Sequence, residues 1–164
     1  MLFGRLFQYG YVVKDLDACI ARLKPALGVP KFHIKENGPS SSSTRTGKVV
    51  IGDIQLELLE ARTDRPTVYD GYIPDDPAGM KFQHFGYYID TREEYDAIGE
   101  WMKEKNIPLA HSAVMPDTLL AAYYDTRPLF GHYFEYVHLM PAAQNWYDDL
   151  PRYNLDPKVL ALAV

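Results

Sequence analysis

The sequence predicts an α+β protein built from two β-α-β-β-β modules, and three observations support this prediction. Residues 81–90 (KFQHFGYYID) alternate as a half-buried strand does, and they place His84 on the face opposite the bulkiest side chains. An earlier stretch has the same layout around Gln8, and a helix cap follows the strand in both places. The spacing also matches, because Gln8 and Glu57 lie 57 − 8 = 49 positions apart and His84 and Glu135 lie 135 − 84 = 51 apart.

The first module is predicted to occupy residues 6–60. Its opening strand alternates between two faces, one formed by Phe7, Tyr9, Tyr11 and Val13 and the other by Gln8, Gly10 and Val12. Asp15 is expected to cap a helix with apolar side chains at helical spacing, which Gly28 and Pro30 end. The pattern then predicts a short strand, a polar loop and a hairpin, at residues 31–35, 36–44, and 46–51 with 54–60.

The second module is predicted at residues 81–139, after a linker at 61–80 that carries three prolines and two glycines. Thr91 and Glu94 form a capping box at the start of its helix. Three further strands are predicted, at residues 109–115, 119–125 and 132–139. The two modules make one domain over residues 1–140, and a tail follows at 141–164. Four apolar residues of the tail are expected to pack over an open sheet edge or a second copy: Trp146, Tyr147, Leu150 and Leu155.

Composition narrows the classes of partner and compartment. With 164 residues, 47% hydrophobic and 24% charged, the chain has the composition of an ordinary globular protein. A formal net charge of −5 argues against nucleic acid as a partner, since phosphate binding needs clustered cations. Cys19 is the only cysteine, so no internal disulfide can form. Since neither a signal peptide nor a membrane span is evident, we expect a cytoplasmic protein that does not bind membranes.

Four polar residues point to a metal site. Gln8, Glu57, His84 and Glu135 each lie on the strand face opposite an apolar one, on the first and last strand of each module. If the sheets curve around a cleft, the four side chains can converge. One imidazole nitrogen and several oxygens suit zinc, nickel, cobalt, manganese or iron(II), and no organic cofactor is predicted. Without a metal, His84 and Glu135 would form a buried ion pair or hydrogen bond. Glu57 would be a solvent-facing carboxylate, and Gln8 would hydrogen-bond a neighbour.

The chain resembles the vicinal oxygen chelate superfamily, which includes glyoxalase I, methylmalonyl-CoA epimerase, bleomycin-resistance proteins and extradiol dioxygenases. The matching stretches are FQYGYVVKDLDACI, LGVPKF, IQLELLE, FQHFGYYID and GHYFEYVHL. The resemblance implies that the modules pair into an open, barrel-like mixed sheet around a cleft. It also implies metal ligation by Gln8, Glu57, His84 and Glu135, a set similar to that of zinc-type glyoxalases. Glu135 would then also be the catalytic base, and Glu57 is a second candidate for proton transfer.

The departures from the family pattern restrict the activity. Glyoxalase I has an arginine four residues after its first ligand and an asparagine four residues after its second, where this chain has Val12 and Ala61. Glutathione would therefore lack its cation, and lactoylglutathione lyase activity is not expected. Epimerases of thioesters use histidine and glutamine at the first two ligand positions, so that match is incomplete as well.

Two functional classes follow from the resemblance. The first is a metal-dependent isomerase, epimerase or lyase that enolises a small carbonyl or thioester substrate. The second is a non-catalytic protein that sequesters a small molecule, as bleomycin-resistance proteins do. Tyr88, Tyr123 and Phe130 are candidate pocket residues, and a homodimer is expected. The remaining histidines are interpreted as structural: His33, His111, His132 and His138.

Overall fold

The fold was analysed in a computed structural model, which describes residues 3–115 and 117–154. Every predicted strand and helix is present, with ends that differ by at most three residues. The first half contains β1 (Arg5–Val13), α1 (Leu16–Leu27), β2 (His33–Glu36), β3 (Ser43–Ile51) and β4 (Ile54–Ala61). The second half contains β5 (Met80–Tyr88), α2 (Arg92–Glu104), β6 (Leu109–Met115), β7 (Leu119–Tyr124), α3 (Arg127–Phe130) and β8 (Tyr133–Leu139). A two-residue strand, β9 (Arg152–Tyr153), follows.

Nine strands form one mixed sheet, in which eight follow the order β2-β3-β4-β1-β5-β8-β7-β6 and the short β9 pairs with β3. The opening strands β1 and β5 run antiparallel at its centre, and each pairs in parallel with the closing strand of its own half, β4 or β8. The sheet curls into a half-barrel, which confirms the predicted fold class. The two halves thus meet through the strands that carry Gln8 and His84.

The two long helices, α1 and α2, each cover the convex side of their own half. Asp15 accepts a hydrogen bond from the Ala18 N–H, and α1 buries Leu16, Ile20 and Leu23 against the sheet. Thr91 and Glu94 form the predicted capping box of α2, whose buried Met102 packs against Tyr87, Ile89 and Tyr136. With both helices outside, the concave face is free to form a cleft. No helix in the described part of the chain is long and apolar enough to span a bilayer.

One predicted strand face is wrong in detail. Phe7 was expected on the face of β1 opposite Gln8, but its ring contacts Tyr88 and Tyr147 in the apolar cluster of the concave face. A register shift between Leu6 and Gln8, where β1 pairs with β5, breaks the strict alternation of faces. The predicted face is therefore correct for Gln8 and Gly10, which lie on the concave side of the sheet. It is wrong for Phe7, which lies on that side too.

The tail returns across the concave face. β9 pairs in parallel with the end of β3, and Trp146 and Tyr147 join the apolar cluster that includes Leu119 and Val137. Leu150 is buried. This part of the tail packs over the cleft of its own chain. Leu155, the fourth residue expected to pack, lies outside the described residues.

Glu60 ties α1 to the sheet. Its carboxylate accepts hydrogen bonds from the Leu16 N–H (2.8 Å), Thr44 (2.7 Å) and Arg45 (2.7 Å). Burial alone would raise the pKa of Glu60, but the bonds from Arg45, Leu16 and Thr44 lower it to about 2.

We expect Glu60→Gln to lower the free energy of unfolding at pH 7 by about 2 kcal/mol, because the amide loses the ion pair with Arg45. Since the folded pKa is depressed, this contribution is present above the ordinary pKa of 4.5 and is lost as the pH falls towards 2. Urea unfolding at pH 7 and pH 3 measures both effects. Glu36→Gln, an exposed position of β2, is the control. Equal stability of Glu60→Gln and the parent at pH 7 would contradict this assignment.

Candidate metal and proton-transfer site

The four predicted residues converge in the cleft of a single chain. Gln8, Glu57, His84 and Glu135 are all buried, with exposed fractions of 2%, 5%, 0% and 6%. The Gln8 Nε2 atom lies 2.8 Å from Glu57 Oε2, 2.9 Å from His84 Nε2 and 2.9 Å from Glu135 Oε2. The His84 Nε2 atom lies 3.3 Å from Glu135 Oε2 and 3.7 Å from Glu57 Oε2. Because one chain supplies all four, the cluster does not need a second copy, and the homodimer stays a prediction.

Two glycines let these side chains meet. In the paired strands Gly10 lies between Glu57 and His84, and Gly86 lies between Gln8 and Glu135. The His84 ring covers Gly10 so closely that a Cβ atom there would overlap it. A Cβ at Gly86 would come within 2.8 Å of the Gln8 Cβ. Both central strands therefore need glycine where a functional side chain crosses from the neighbouring strand.

Gln83 determines which nitrogen of His84 faces the cluster. The Gln83 amide donates from Nε2 to the Val68 carbonyl (3.3 Å), so its Oε1 atom faces His84 Nδ1 at 2.5 Å. An amide oxygen only accepts, so Nδ1 carries a proton. The Nε2 atom is the nitrogen left to donate a lone pair to a cation. The strand pattern did not reveal this contact, because adjacent strand residues point to opposite faces.

The donor set fits a divalent cation. One ligand atom from each of Glu57, His84 and Glu135 lies within 4.8 Å of the others. The Gln8 amide has two N–H groups for three acceptors, so it cannot satisfy all of them. The buried Gln55 donates from Nε2 to Gln8 Oε1 (2.5 Å), and its own Oε1 has no partner in the described part of the chain. If the oxygen and nitrogen atoms are exchanged in the side-chain amides of Gln8 and Gln55, the Gln8 oxygen faces the cluster. Gln55 Oε1 then accepts a hydrogen bond from Gln8 Nε2.

The two carboxylates have different partners on the neighbouring strand. Lys48 is paired with Glu57 across β3 and β4, and its Nζ atom lies 2.9 Å from Glu57 Oε1. Tyr123 holds the equivalent place beside Glu135 across β7 and β8, and its hydroxyl donates to the Glu135 carboxylate. Glu57 therefore has a permanent cation as its partner, whereas Glu135 has a neutral donor.

Burial determines the protonation of the groups around Glu135. Burial raises the pKa of Tyr123 and of Tyr69, which is hydrogen-bonded to Tyr123, so both phenols stay protonated. Burial would also raise the pKa of Glu135, but its close contact with His84, the Tyr123 hydroxyl and the charge of Lys48 lower it overall. Glu135 is thus held as a carboxylate, the form required of a base.

A cavity of about 130 Å³ is lined by three of the four residues, Gln8, Glu57 and Glu135, and by only one of the three predicted pocket residues. Tyr123 lines it. The other two do not line the cavity. Tyr88 lies beside Phe7 with Arg5 over its ring. Phe130 is half exposed and stacked on Phe134.

Several lining residues were not predicted from the sequence. His111 lines the cavity, with its ring 5.8 Å from that of Tyr123, although it was interpreted as structural. Burial lowers the pKa of His111. Lys48 and the tail residues Trp146 and Tyr147 are further lining residues that were not predicted. No pattern in the sequence indicates that the tail crosses the cleft, so Trp146 and Tyr147 could not be predicted as lining residues.

Comparison with known proteins agrees with this architecture. A hypothetical protein from Bacillus halodurans superposes with a TM-score of 0.61 at 18% identity, covering 86% of this chain and 98% of its own. Methylmalonyl-CoA epimerase from Mycobacterium tuberculosis gives 0.58 at 18%, covering 85% and 91%. A variant of the Streptomyces coelicolor epimerase in complex with 2-nitronate-propionyl-CoA gives 0.59 at 17%, covering 83% and 97%. At these identities the likeness shows the fold.

The sequence itself carries the family signal. A search of curated protein sequences finds no match. The profile of one superfamily matches residues 7–122, which span both central strands and most of the second half. The predicted resemblance is therefore confirmed, and this chain belongs to the glyoxalase/bleomycin resistance protein/dioxygenase superfamily.

Proposed function

We propose that this protein is a metal-dependent isomerase, epimerase or lyase that enolises a small carbonyl or thioester substrate. The observation that carries the proposal is the buried convergence of an imidazole, two carboxylates and an amide beside a cavity. Burying two carboxylates is costly unless each has a cation or hydrogen-bond donors. Within the described residues, Lys48 is the one ammonium in ion-pair contact with either carboxylate, and a divalent cation would give both of them a counter-charge.

Four side chains would hold the metal. His84 offers Nε2, Glu57 and Glu135 each offer Oε2, and Gln8 offers its amide oxygen. When bound, the metal would polarise the carbonyl oxygen of the substrate and stabilise the negative charge that develops there. Zinc, nickel, cobalt, manganese and iron(II) all accept such a set. Gln83 supports it by holding the proton on His84 Nδ1.

The different partners of the two carboxylates support different roles for them. Protonation of Glu57 would leave the Lys48 ammonium without its counter-ion, so Glu57 is suited to remain a charged ligand. Glu135 has no such cation, and the Tyr123 hydroxyl can keep a hydrogen bond to it after it takes a proton. Glu135 is therefore the base that removes a proton from the carbon beside the carbonyl. The electron pair moves to the carbonyl oxygen, and Glu135 returns the proton to carbon.

The cavity restricts the substrate. Its small volume of about 130 Å³ suits a short acyl or keto group. The positions that carry the glutathione-binding arginine and asparagine in glyoxalase I hold Val12 and Ala61, which pack in an apolar cluster with Leu59 and Tyr69. Glutathione adducts are thus poor candidates. Coenzyme A thioesters of the kind bound by the structural neighbours are better ones.

Metal binding and proton exchange test the proposal together. We expect protein purified without added metal, then incubated with zinc, nickel, cobalt or manganese, to bind about one ion per chain. The Glu57→Ala, His84→Ala double variant is expected to bind almost none. The loaded parent should exchange the proton beside the carbonyl of methylmalonyl-CoA or of small 2-oxo acids in deuterium oxide, and chelation should stop the exchange. Absence of metal and of exchange, with tight binding of a small molecule by the stripped protein, would favour the sequestering function instead.

Gln83→Leu is expected to weaken metal binding by about 10- to 100-fold, because the His84 Nδ1 proton loses its acceptor and the ring its orientation. A competition titration against a chromophoric chelator measures the affinity. Gln83→Glu keeps an acceptor at this position and should restore most of the affinity. If Gln83→Leu binds metal as tightly as the parent, Gln83 does not position His84.

A further inference from the structure

We propose that the substrate carries a carboxylate, which binds at Lys35 and Lys48 beside the Trp146 ring. The proposal rests on the function proposed above and adds a substrate class to it. It assigns the recognition of the substrate to the first half of the chain and the tail, whereas proton removal belongs to Glu135.

The two walls of the cavity differ in chemistry. The wall formed by β2, β3 and the loop between them presents Lys35, Asn37, Thr46 and Lys48. The opposite wall, from β6, β7 and β8, is largely apolar away from His111, Tyr123 and Glu135. It includes Ala113, Leu119, Ala121 and Val137. A substrate with one charged end and a short apolar body would match both walls, with its charge towards the lysines.

Trp146 brings the two lysines to one place. The Lys48 Nζ atom lies 5.2 Å from the Trp146 ring centre and the Lys35 Nζ atom lies 5.5 Å from it. Lys48 forms an ion pair with Glu57, but no carboxylate in the described ranges lies within ion-pair distance of Lys35. Two ammonium groups lie around one ring, and only Lys48 has a carboxylate partner, so the charge of Lys35 is left for an anionic ligand.

The charged side chains that line the cavity also indicate a substrate with a carboxylate. Two carboxylates, Glu57 and Glu135, face two ammonium groups, Lys35 and Lys48, so the ionised side chains sum to zero. Binding a divalent cation would bring the sum to +2. A substrate with one carboxylate would lower the sum to +1, and the later transfer of its proton to Glu135 leaves this total unchanged. A neutral ketone would leave the full charge of +2.

The test uses malonate and its neutral isostere malonamide as probes of zinc-loaded protein. Trp101→Phe removes the exposed second tryptophan, so that fluorescence reports Trp146 alone. We expect malonate to bind at least 10-fold more tightly than malonamide, with an affinity that falls as salt is raised. In this background Lys35→Gln should weaken malonate binding about 3- to 10-fold, and Lys35→Gln with Lys48→Gln should remove the preference for malonate. Lys31→Gln, an exposed lysine outside the cavity, should change nothing.

Two outcomes would overturn the proposal. Equal affinities for malonate and malonamide would show that the site does not select an anion. A preference for malonate that survives loss of both lysines would show that the metal alone attracts it. In either case metal-dependent proton exchange by the parent would still support the proposed function, so failure of one proposal is distinguishable from failure of the other.

Discussion

Glu135→Gln is expected to slow metal-dependent proton exchange by about 10²- to 10⁴-fold, the usual contribution of a positioned general base. The substitution keeps the size of the side chain, and its amide oxygen can still accept the hydrogen bond from Tyr123. The fold should therefore survive, and enough metal affinity should remain to saturate the site. Deuterium incorporation at saturating metal, followed by NMR, measures the loss directly.

Glu57→Gln provides the matched control for this prediction. Both residues are buried glutamates on closing strands, and both point at Gln8 and His84. If Glu57 serves as a ligand held charged by Lys48, its replacement should weaken metal binding more than it slows exchange at saturating metal. Equal rate losses in the two variants, or rapid exchange by Glu135→Gln, would contradict the assignment of Glu135 as the base.

The sequence predicted the cluster because the two halves repeat one simple arrangement. Strand parity put Gln8 and His84 on the faces opposite their helices, and the matched spacing identified Glu57 and Glu135 as their counterparts. The structure explains why parity was sufficient here, since Gln8 and His84 lie on the two strands that pair at the centre of the sheet. Convergence then needs only the curvature of one sheet.

The surrounding residues could not be predicted because they depend on neighbours that alternation does not specify. Lys48 and Tyr123 become partners of the two glutamates through the register between adjacent strands, which the sequence leaves undefined. Gln83 reaches His84 although the two side chains are adjacent in the strand. The path of the tail across the cleft has no periodic signal. The predicted positions were thus those set by strand periodicity, and the missed ones were set by register and tertiary contact.

Gly10 supplies the sharpest structural test of the cluster. The His84 ring lies directly over Gly10, held by Gln83 at Nδ1 and by an edge contact with Tyr123 at 4.9 Å between ring centres. An alanine Cβ would occupy the position of the ring. We expect Gly10→Ala to lower metal affinity by at least about 100-fold and the free energy of unfolding by about 1–3 kcal/mol, because the ring must leave its place or the central strands must separate.

Gly47→Ala separates this effect from the general cost of filling a strand glycine. Gly47 is a buried glycine of β3, where an added Cβ would meet the mobile ends of Leu16 and Ile20 at 3.1 and 3.2 Å. Those side chains can shift slightly, and neither touches the cluster, so metal affinity should stay at the parent value. Chelator competition and urea unfolding of both variants give the comparison. Tight metal binding by Gly10→Ala would mean that His84 does not need its present position to serve as a ligand, and the proposed site would then have to be built without it.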